Sequence, residues 1–180
     1  ASCRALSTAR ARAALKSGRG EKRGAKHPRA LPGAKRAHTY ARMARALYIH
    51  WPFCAKKCPY CDFNSHVRAS VDVGVWRDAL LADMRAEDAA AGGEPLHSIF
   101  FGGGTPSLMP PSLVSELLDE AGSLWGFAPS VEVTLEANPS SVEAANFADL
   151  ASVGVNRVSL GVQSLDDDTL RWRGRLHGPA

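Results

Sequence analysis

The stretch Cys54-Ala55-Lys56-Lys57-Cys58-Pro59-Tyr60-Cys61 places three cysteines close together, directly after the apolar run Ala46-Leu47-Tyr48-Ile49-His50-Trp51. Three neighbouring thiolates repel one another unless a metal offsets their charge, and soft sulfur ligands select zinc, copper(I) or iron–sulfur clusters. The remaining cysteine, Cys3, is distant in sequence. An iron–sulfur cluster held by three cysteines would leave one iron with an open position for a small molecule.

A zinc site is the alternative that this stretch leaves open. Structural zinc takes four protein ligands, and either His50 or His66 could supply the fourth. The protein would then be a zinc-binding module without redox chemistry.

Five motifs around the cysteines occur in a fixed order along the chain. They are Tyr48-Ile49-His50-Trp51-Pro52-Phe53-Cys54, Cys61-Asp62-Phe63-Asn64-Ser65, Phe101-Gly102-Gly103-Gly104-Thr105-Pro106-Ser107, Thr134-Leu135-Glu136-Ala137-Asn138-Pro139 and Gly161-Val162-Gln163-Ser164. Together with the cysteine spacing they resemble the radical S-adenosylmethionine (radical SAM) family. The resemblance is greatest to the oxygen-independent coproporphyrinogen III oxidases and, among their relatives, to the heme chaperone branch. It extends from about residue 46 to residue 177.

The resemblance implies two cofactors, a [4Fe–4S] cluster and SAM. Cys54, Cys58 and Cys61 would each bind one iron, and the fourth iron would chelate the amino and carboxylate groups of SAM. An electron donor of the flavodoxin or ferredoxin type would reduce the cluster. The cleavage of SAM to methionine and a 5′-deoxyadenosyl radical is then chemistry of the cofactor, for which the protein provides position and exclusion of water.

The resemblance also implies the residues that would contact SAM. Glycines after a strand let a ligand approach the backbone and its amides, so Gly103 and Gly104, with the hydroxyl of Thr105, would form a wall at the methionine end. Glu136 is a carboxylate near the end of an apolar strand, where it needs a partner. The remaining expected contacts are Glu136 to SAM, Gln163 and Arg175 to a second SAM, and Tyr48 and Tyr60 as flanking aromatics.

Phe63 decides between relatives of different function. The oxidases carry a further cysteine two positions after the third, and Phe63 occupies that position here, as in the heme chaperone branch. The resemblance therefore implies a protein that binds heme and passes it to an acceptor protein. Oxidative decarboxylation of coproporphyrinogen III is the alternative, and SAM methyltransferases share the same barrel.

The hydrophobic pattern predicts an α/β fold with parallel strands. We predict strands at 46–50, 98–101, 131–135 and 156–160, and helices at 73–91, from 110, at 141–152 and at 165–173. Strands that alternate with helices form parallel sheets, whose active sites lie at the carboxyl ends of the strands. A complete (β/α)8 barrel needs about 250 residues. We therefore expect a partial radical SAM (β/α) barrel, truncated after about four units of a longer protein.

Charge divides the chain into two parts. Residues 1–45 hold 13 of the 22 Lys and Arg residues and one of the 18 acidic residues, so the domain at 46–180 is acidic. The leader has few large apolar side chains, and we expect it to be disordered and dispensable for folding. It resembles a mitochondrial transit peptide, a nucleic-acid-binding arm or upstream sequence foreign to the protein. The missing initiator methionine and the position of Met43 favour the last interpretation.

We expect a cytoplasmic protein with no nucleic-acid partner, or a protein of the mitochondrial matrix if residues 1–45 are a transit peptide. Three clustered cysteines and a single distant one, Cys3, argue against a disulfide framework and favour a reducing compartment. No apolar run approaches the ~18 residues of a membrane span.

Overall fold

The structure, a computed structural model, describes residues 44–88, 94–139, 141–175 and 177–178. Most of the predicted leader, residues 1–43, lies outside the described residues, as does the predicted end of the first helix at 89–91. The elements in chain order are β1 (Arg45–Trp51), β2 (Phe53–Cys54), β3 (His66–Val67), α1 (Val73–Asp88), β4 (Leu96–Gly103), a 3₁₀ turn (Pro106–Leu108), α2 (Pro111–Trp125), β5 (Phe127–Ala137), α3 (Ser141–Ser152), β6 (Arg157–Leu160) and α4 (Asp167–Trp172).

The main sheet has four strands in the order β1-β4-β5-β6, and every neighbouring pair is parallel. This confirms the predicted parallel α/β fold. Within the described ranges the sheet stays open, which agrees with a barrel that is only partly present. A second, two-stranded sheet of β2 and β3 was not predicted, because strands of two residues carry no periodicity.

Side chains that alternate along the strands separate the core from the site. One face of the sheet is apolar and buried, with Leu47, Ile49, Ile99, Phe101, Val133 and Leu135 in the core cluster. Helix α2 adds a buried stripe to the same core, formed by Leu113, Val114, Leu117, Leu118 and Ala121. The opposite face carries Tyr48 and His50 of β1 and Glu136 of β5.

Strand β4 is longer than the sequence predicts. The sequence predicts a strand at 98–101, but β4 begins at Leu96 and continues through Gly102 and Gly103. These glycines pair with His50 and Trp51 of β1. A Cβ at Gly102 would lie 2.8 Å from the Tyr48 ring, so neighbouring side chains occupy the space above the strand.

Local signals explain where the helices begin and end. Asp72 accepts a hydrogen bond from the Val75 amide before α1, and Asp166 accepts one from the Thr169 amide before α4. Asp166 therefore caps α4. Helix α2 begins at Pro111 and stops at Gly126, whose φ is 67°.

The first strand begins one residue earlier than predicted. Arg45, the last residue of the predicted leader, is the first residue of β1. Its guanidinium donates to the Glu94 carbonyl at 3.1 Å and lies 5.3 Å from the Trp125 ring centroid. None of the described helices is long and apolar enough to cross a membrane.

Candidate functional site

The carboxyl ends of the strands border a cavity of about 640 Å³. All three cysteines of the loop line it, and so do seven of the eight residues expected to contact SAM: Tyr60, Gly103, Gly104, Thr105, Glu136, Gln163 and Arg175. The eighth, Tyr48, is not among the lining residues. Segments more than a hundred residues apart in sequence thus share one cavity, because parallel strands end at the same edge of the sheet.

Lys57 holds the cysteine loop in shape. Its ammonium group donates to the Phe63 carbonyl at 2.8 Å, and to the carbonyl and hydroxyl oxygens of Ser65 at 3.2 and 2.9 Å. Within the loop, the Cys61 amide bonds the Cys58 carbonyl at 3.0 Å. Sequence reasoning missed Lys57, since a lysine in a loop is ordinarily solvated. The loop is therefore braced by contacts that do not use the cysteine sulfurs.

The amides of the glycine motif point into the protein. The Gly104 amide donates to the Trp51 carbonyl at 2.7 Å and the Thr105 amide to the Phe53 carbonyl at 2.8 Å. The Gly103 amide donates to the Glu136 carboxylate at 3.1 Å. The expectation that these amides are exposed for a ligand is therefore wrong: each already has a partner.

The glycines are needed because β2 and His50 pass close to them. A Cβ at Gly104 would lie 2.5 Å from the Phe53 carbonyl oxygen, and one at Gly103, whose φ is 118°, would lie 2.6 Å from the His50 ring. Added Cβ atoms at these two positions would therefore collide with the protein itself.

Glu136 lies inside the cavity, next to the last residue of β5, and its bond to the Gly103 amide supplies the partner that a partly buried carboxylate requires. Tyr48 lies near it on the same face of the sheet. Burial raises the pKa of Tyr48, and the negative charge of Glu136 raises it further. The Tyr48 hydroxyl shares a hydrogen bond with His50 Nδ1 at 3.2 Å.

Asn138 joins the residues at the strand ends. Its amide nitrogen donates to the Thr105 hydroxyl at 3.3 Å, and its carbonyl oxygen accepts from Arg175 at 2.7 Å. Arg175 also donates to the Gly161 carbonyl at 2.5 Å. Asn138 belongs to the quoted Glu136 motif, but no role was predicted for it, because an Asn before a proline is usually read as a turn residue.

Gln163 lies in the loop beyond β6, which ends at Leu160 as predicted. Its φ is 69°, the only positive φ among the described non-glycine residues. Such a conformation costs about 1–3 kcal/mol and concentrates at functional sites.

The two aromatic positions near the cysteines are open to solvent. Tyr60 and Phe63 both line the cavity, and Phe63 is 62% exposed. Partial burial raises the pKa of Tyr60, and its neighbour Cys58 raises it further. Phe63 thus lies exposed at the mouth of the cavity, at the position where the resemblance to the oxidases implies a cysteine.

Neither histidine considered as a fourth zinc ligand lines the cavity. His50 Nε2 hydrogen-bonds the Asn64 backbone carbonyl, and His66 Nε2 hydrogen-bonds the Asn64 side-chain oxygen. Within the described ranges, no three His, Cys, Asp or Glu side chains converge as ligands of one ion. The cysteines are free thiols on one cavity. Ligands of a cluster bind different irons and need not converge on one point, so three separate thiols on one cavity remain compatible with a cluster.

One polar atom at the site has no partner in the described part of the chain. Nε of Arg175 is buried and makes no hydrogen bond there, although the same guanidinium makes several others. A buried donor of this kind needs an acceptor. A bound group in the cavity could supply it.

The model of the radical SAM superfamily matches residues 48–180. The chain belongs to this superfamily. Radical SAM proteins in general use a [4Fe–4S] cluster and SAM, which agrees with the three cysteines on the cavity.

Two curated radical SAM relatives illustrate which members of the superfamily the chain is similar to. The chain is 46% identical over 135 residues to the heme chaperone HemW of Escherichia coli, covering 74% of this chain and 36% of HemW. It is 41% identical over 146 residues to the mitochondrial radical S-adenosyl methionine domain-containing protein 1 of Bos taurus, covering 81% of this chain and 31% of the relative.

Among solved structures, coproporphyrinogen III oxidase (HemN) from Escherichia coli, described as a radical SAM enzyme, matches with a TM-score of 0.65 and 27% identity. That match covers 72% of this chain and 30% of HemN. The chain therefore spans about a third of the length of the proteins it resembles.

The packing around the glycines predicts that replacing Gly104 and replacing Gly74 by alanine have different effects on stability. Gly104→Ala should lower the free energy of unfolding by about 1–3 kcal/mol, because its Cβ has no room beside the Phe53 backbone. Gly74→Ala in α1, whose nearest atom is 3.4 Å away, should leave stability unchanged or raise it slightly. Urea denaturation measures both. Equal effects of the two substitutions would contradict the packing described here.

Proposed function

We propose that the chain is the N-terminal part of a radical SAM protein of heme metabolism, a heme chaperone that delivers heme to acceptor proteins. The single observation that carries the proposal is the shared cavity, where the three cysteines meet Glu136 and Arg175. The chaperone assignment is supported by Phe63 in place of the oxidase cysteine and by the identity to HemW.

In this proposal Cys54, Cys58 and Cys61 hold a [4Fe–4S] cluster. When bound and reduced, such a cluster supplies the electron that cleaves SAM. The bonds from Lys57 to Phe63 and Ser65 hold the loop, so the cysteines would need little reorganisation to bind a cluster. The electron donor would be a small protein of the flavodoxin or ferredoxin type.

The polar residues around the cavity would orient SAM. Glu136 presents a carboxylate that suits an amino group, and its bond to the Gly103 amide fixes where that carboxylate lies. Arg175 presents a planar guanidinium that suits a carboxylate. Thr105, Gln163 and Tyr60 complete the proposed contacts, and Tyr48 would act from the neighbouring strand, near Glu136.

A second candidate function is the oxidative decarboxylation of coproporphyrinogen III. The structural similarity to the oxidase HemN favours it. Phe63 argues against it, because the side chain at the cavity mouth cannot act as a thiol.

We propose the cytoplasm as the compartment, with the mitochondrial matrix as the alternative. The bovine relative is named a mitochondrial protein. The composition of residues 1–45 is compatible with a transit peptide.

Replacing any one cysteine of the loop should abolish the cluster. We expect anaerobically reconstituted full-length protein to be brown and to contain iron and sulfide, and Cys54→Ala, Cys58→Ala and Cys61→Ala to lack both, because three thiolates are the minimum set. Cys3→Ala is the matched control and should keep the cluster. A colourless wild type with stoichiometric zinc would refute the proposed cofactor.

Glu136 should matter for SAM and not for folding. Glu136→Gln keeps an oxygen for the Gly103 amide but removes the charge, so SAM affinity should fall by roughly tenfold or more, as for loss of a charge-assisted hydrogen bond. Glu132 lies on the same strand but outside the cavity, so Glu132→Gln is the matched control and should not change the affinity for SAM. Equilibrium dialysis with labelled SAM measures both, and equal affinities in all three proteins would refute the role.

The chaperone proposal predicts binding without turnover. Full-length protein should bind heme, as measured by a titration of its absorption spectrum. Under anaerobic conditions, with SAM and a low-potential reductant, it should form no protoporphyrinogen from coproporphyrinogen III. HemN assayed in parallel is the positive control. Product formation at a comparable catalytic rate would favour the oxidase function instead.

A further inference from the structure

The turn after α4 packs against the cysteine loop. We call residues 173–175 the arginine turn. The Arg173 guanidinium lies 5.5 Å from the ring centroid of Tyr60, in the geometry of a cation–π contact. Gly174 has a φ of 65°, and a Cβ there would lie 3.2 Å from Pro59 Cδ. Two residues of the turn therefore sit directly against the loop between the second and third cysteines.

The third residue of the arginine turn reaches a cysteine sulfur. Arg175 Nη1 donates to Cys58 Sγ at 3.5 Å. Its Nη2 is fixed by the Asn138 carbonyl oxygen at 2.7 Å and by the Gly161 carbonyl at 2.5 Å. The guanidinium is thus anchored to the ends of β5 and β6 on one side and contacts the loop on the other.

A cation that donates a hydrogen bond to a cluster ligand alters the cluster. Hydrogen bonds to the sulfurs and nearby charge are among the factors that set the reduction potential of an iron–sulfur cluster. A positive group favours the reduced form, since that form carries one more negative charge. The Cys61 sulfur, by contrast, contacts the neutral Ser65 hydroxyl, at 3.9 Å.

We propose that Arg175 is a positioning residue that fixes Cys58 and raises the reduction potential of the cluster bound there. The inference rests on the proposed cluster on the three cysteines. It is separate from the expected contact of Arg175 with SAM, because the potential of the cluster can be measured with no SAM present.

The test is a redox titration of reconstituted full-length protein without SAM, followed by electron paramagnetic resonance. Arg175→Met should shift the midpoint potential to a lower value. Arg175→Lys should shift it less, because lysine keeps the charge but lacks the planar fork that spans Asn138, Gly161 and Cys58. Arg171→Met is the matched control on α4, where Arg171 is exposed and paired with Asp168. Its potential should equal that of the wild type.

Each outcome of the titration supports or overturns the proposed role of Arg175. A wild-type potential in both Arg175 variants overturns this inference and leaves the proposed cluster intact. Wild-type protein that binds no iron overturns the proposed cluster and the inference with it. If Arg175→Met alone fails to bind iron, the potential of Arg175→Lys decides. If both variants lose the cluster while circular dichroism stays unchanged and Arg171→Met binds it, the positioning of Cys58 is supported.

Discussion

The structure of the site depends on the close backbone packing at Gly103 and Gly104. Because neither residue has a side chain, the end of β4 lies directly against Trp51 and Phe53, and its amides bond their carbonyls. That contact places Cys54, the last residue of β2, over the carboxyl edge of the sheet. The Gly103 amide at the same time orients Glu136 on the next strand. One short stretch of glycine therefore sets the relative positions of the cysteine loop and the polar residues of the cavity.

The charges of the cavity follow from this arrangement. Glu136 brings negative charge, to which cysteines bound to a cluster would add, while Lys56, Lys57 and Arg175 line the same space. Lys57 and Arg175 have their donors fixed by carbonyl oxygens, so their charge stays beside the cysteines without mobile side chains. Such preorganisation lowers the free energy needed to gather three like charges around a metal cluster.

Much of the fold and of the site was predictable from the sequence, and the misses share a physical cause. The parallel strands, and the position of Glu136 at a strand end, follow from periodicity and from the rule that parallel strands end at one edge. The extension of β4 through Gly103 was missed because glycine is a poor strand former on its own and is held here by pairing with β1. The inward amides at Gly104, the positive φ of Gln163 and the bonds of Lys57 depend on tertiary neighbours. No local pattern in the sequence encodes those neighbours.

The central claim is that three cysteines hold a cluster with one iron left open for SAM. The most direct measurement is electron–nuclear double resonance on the reduced, reconstituted full-length protein, with SAM labelled isotopically at its amino nitrogen. We predict a hyperfine coupling between that nitrogen and the cluster, because the amino group would bind the iron that lacks a cysteine. A reduced cluster that shows no such coupling at saturating SAM would contradict the account.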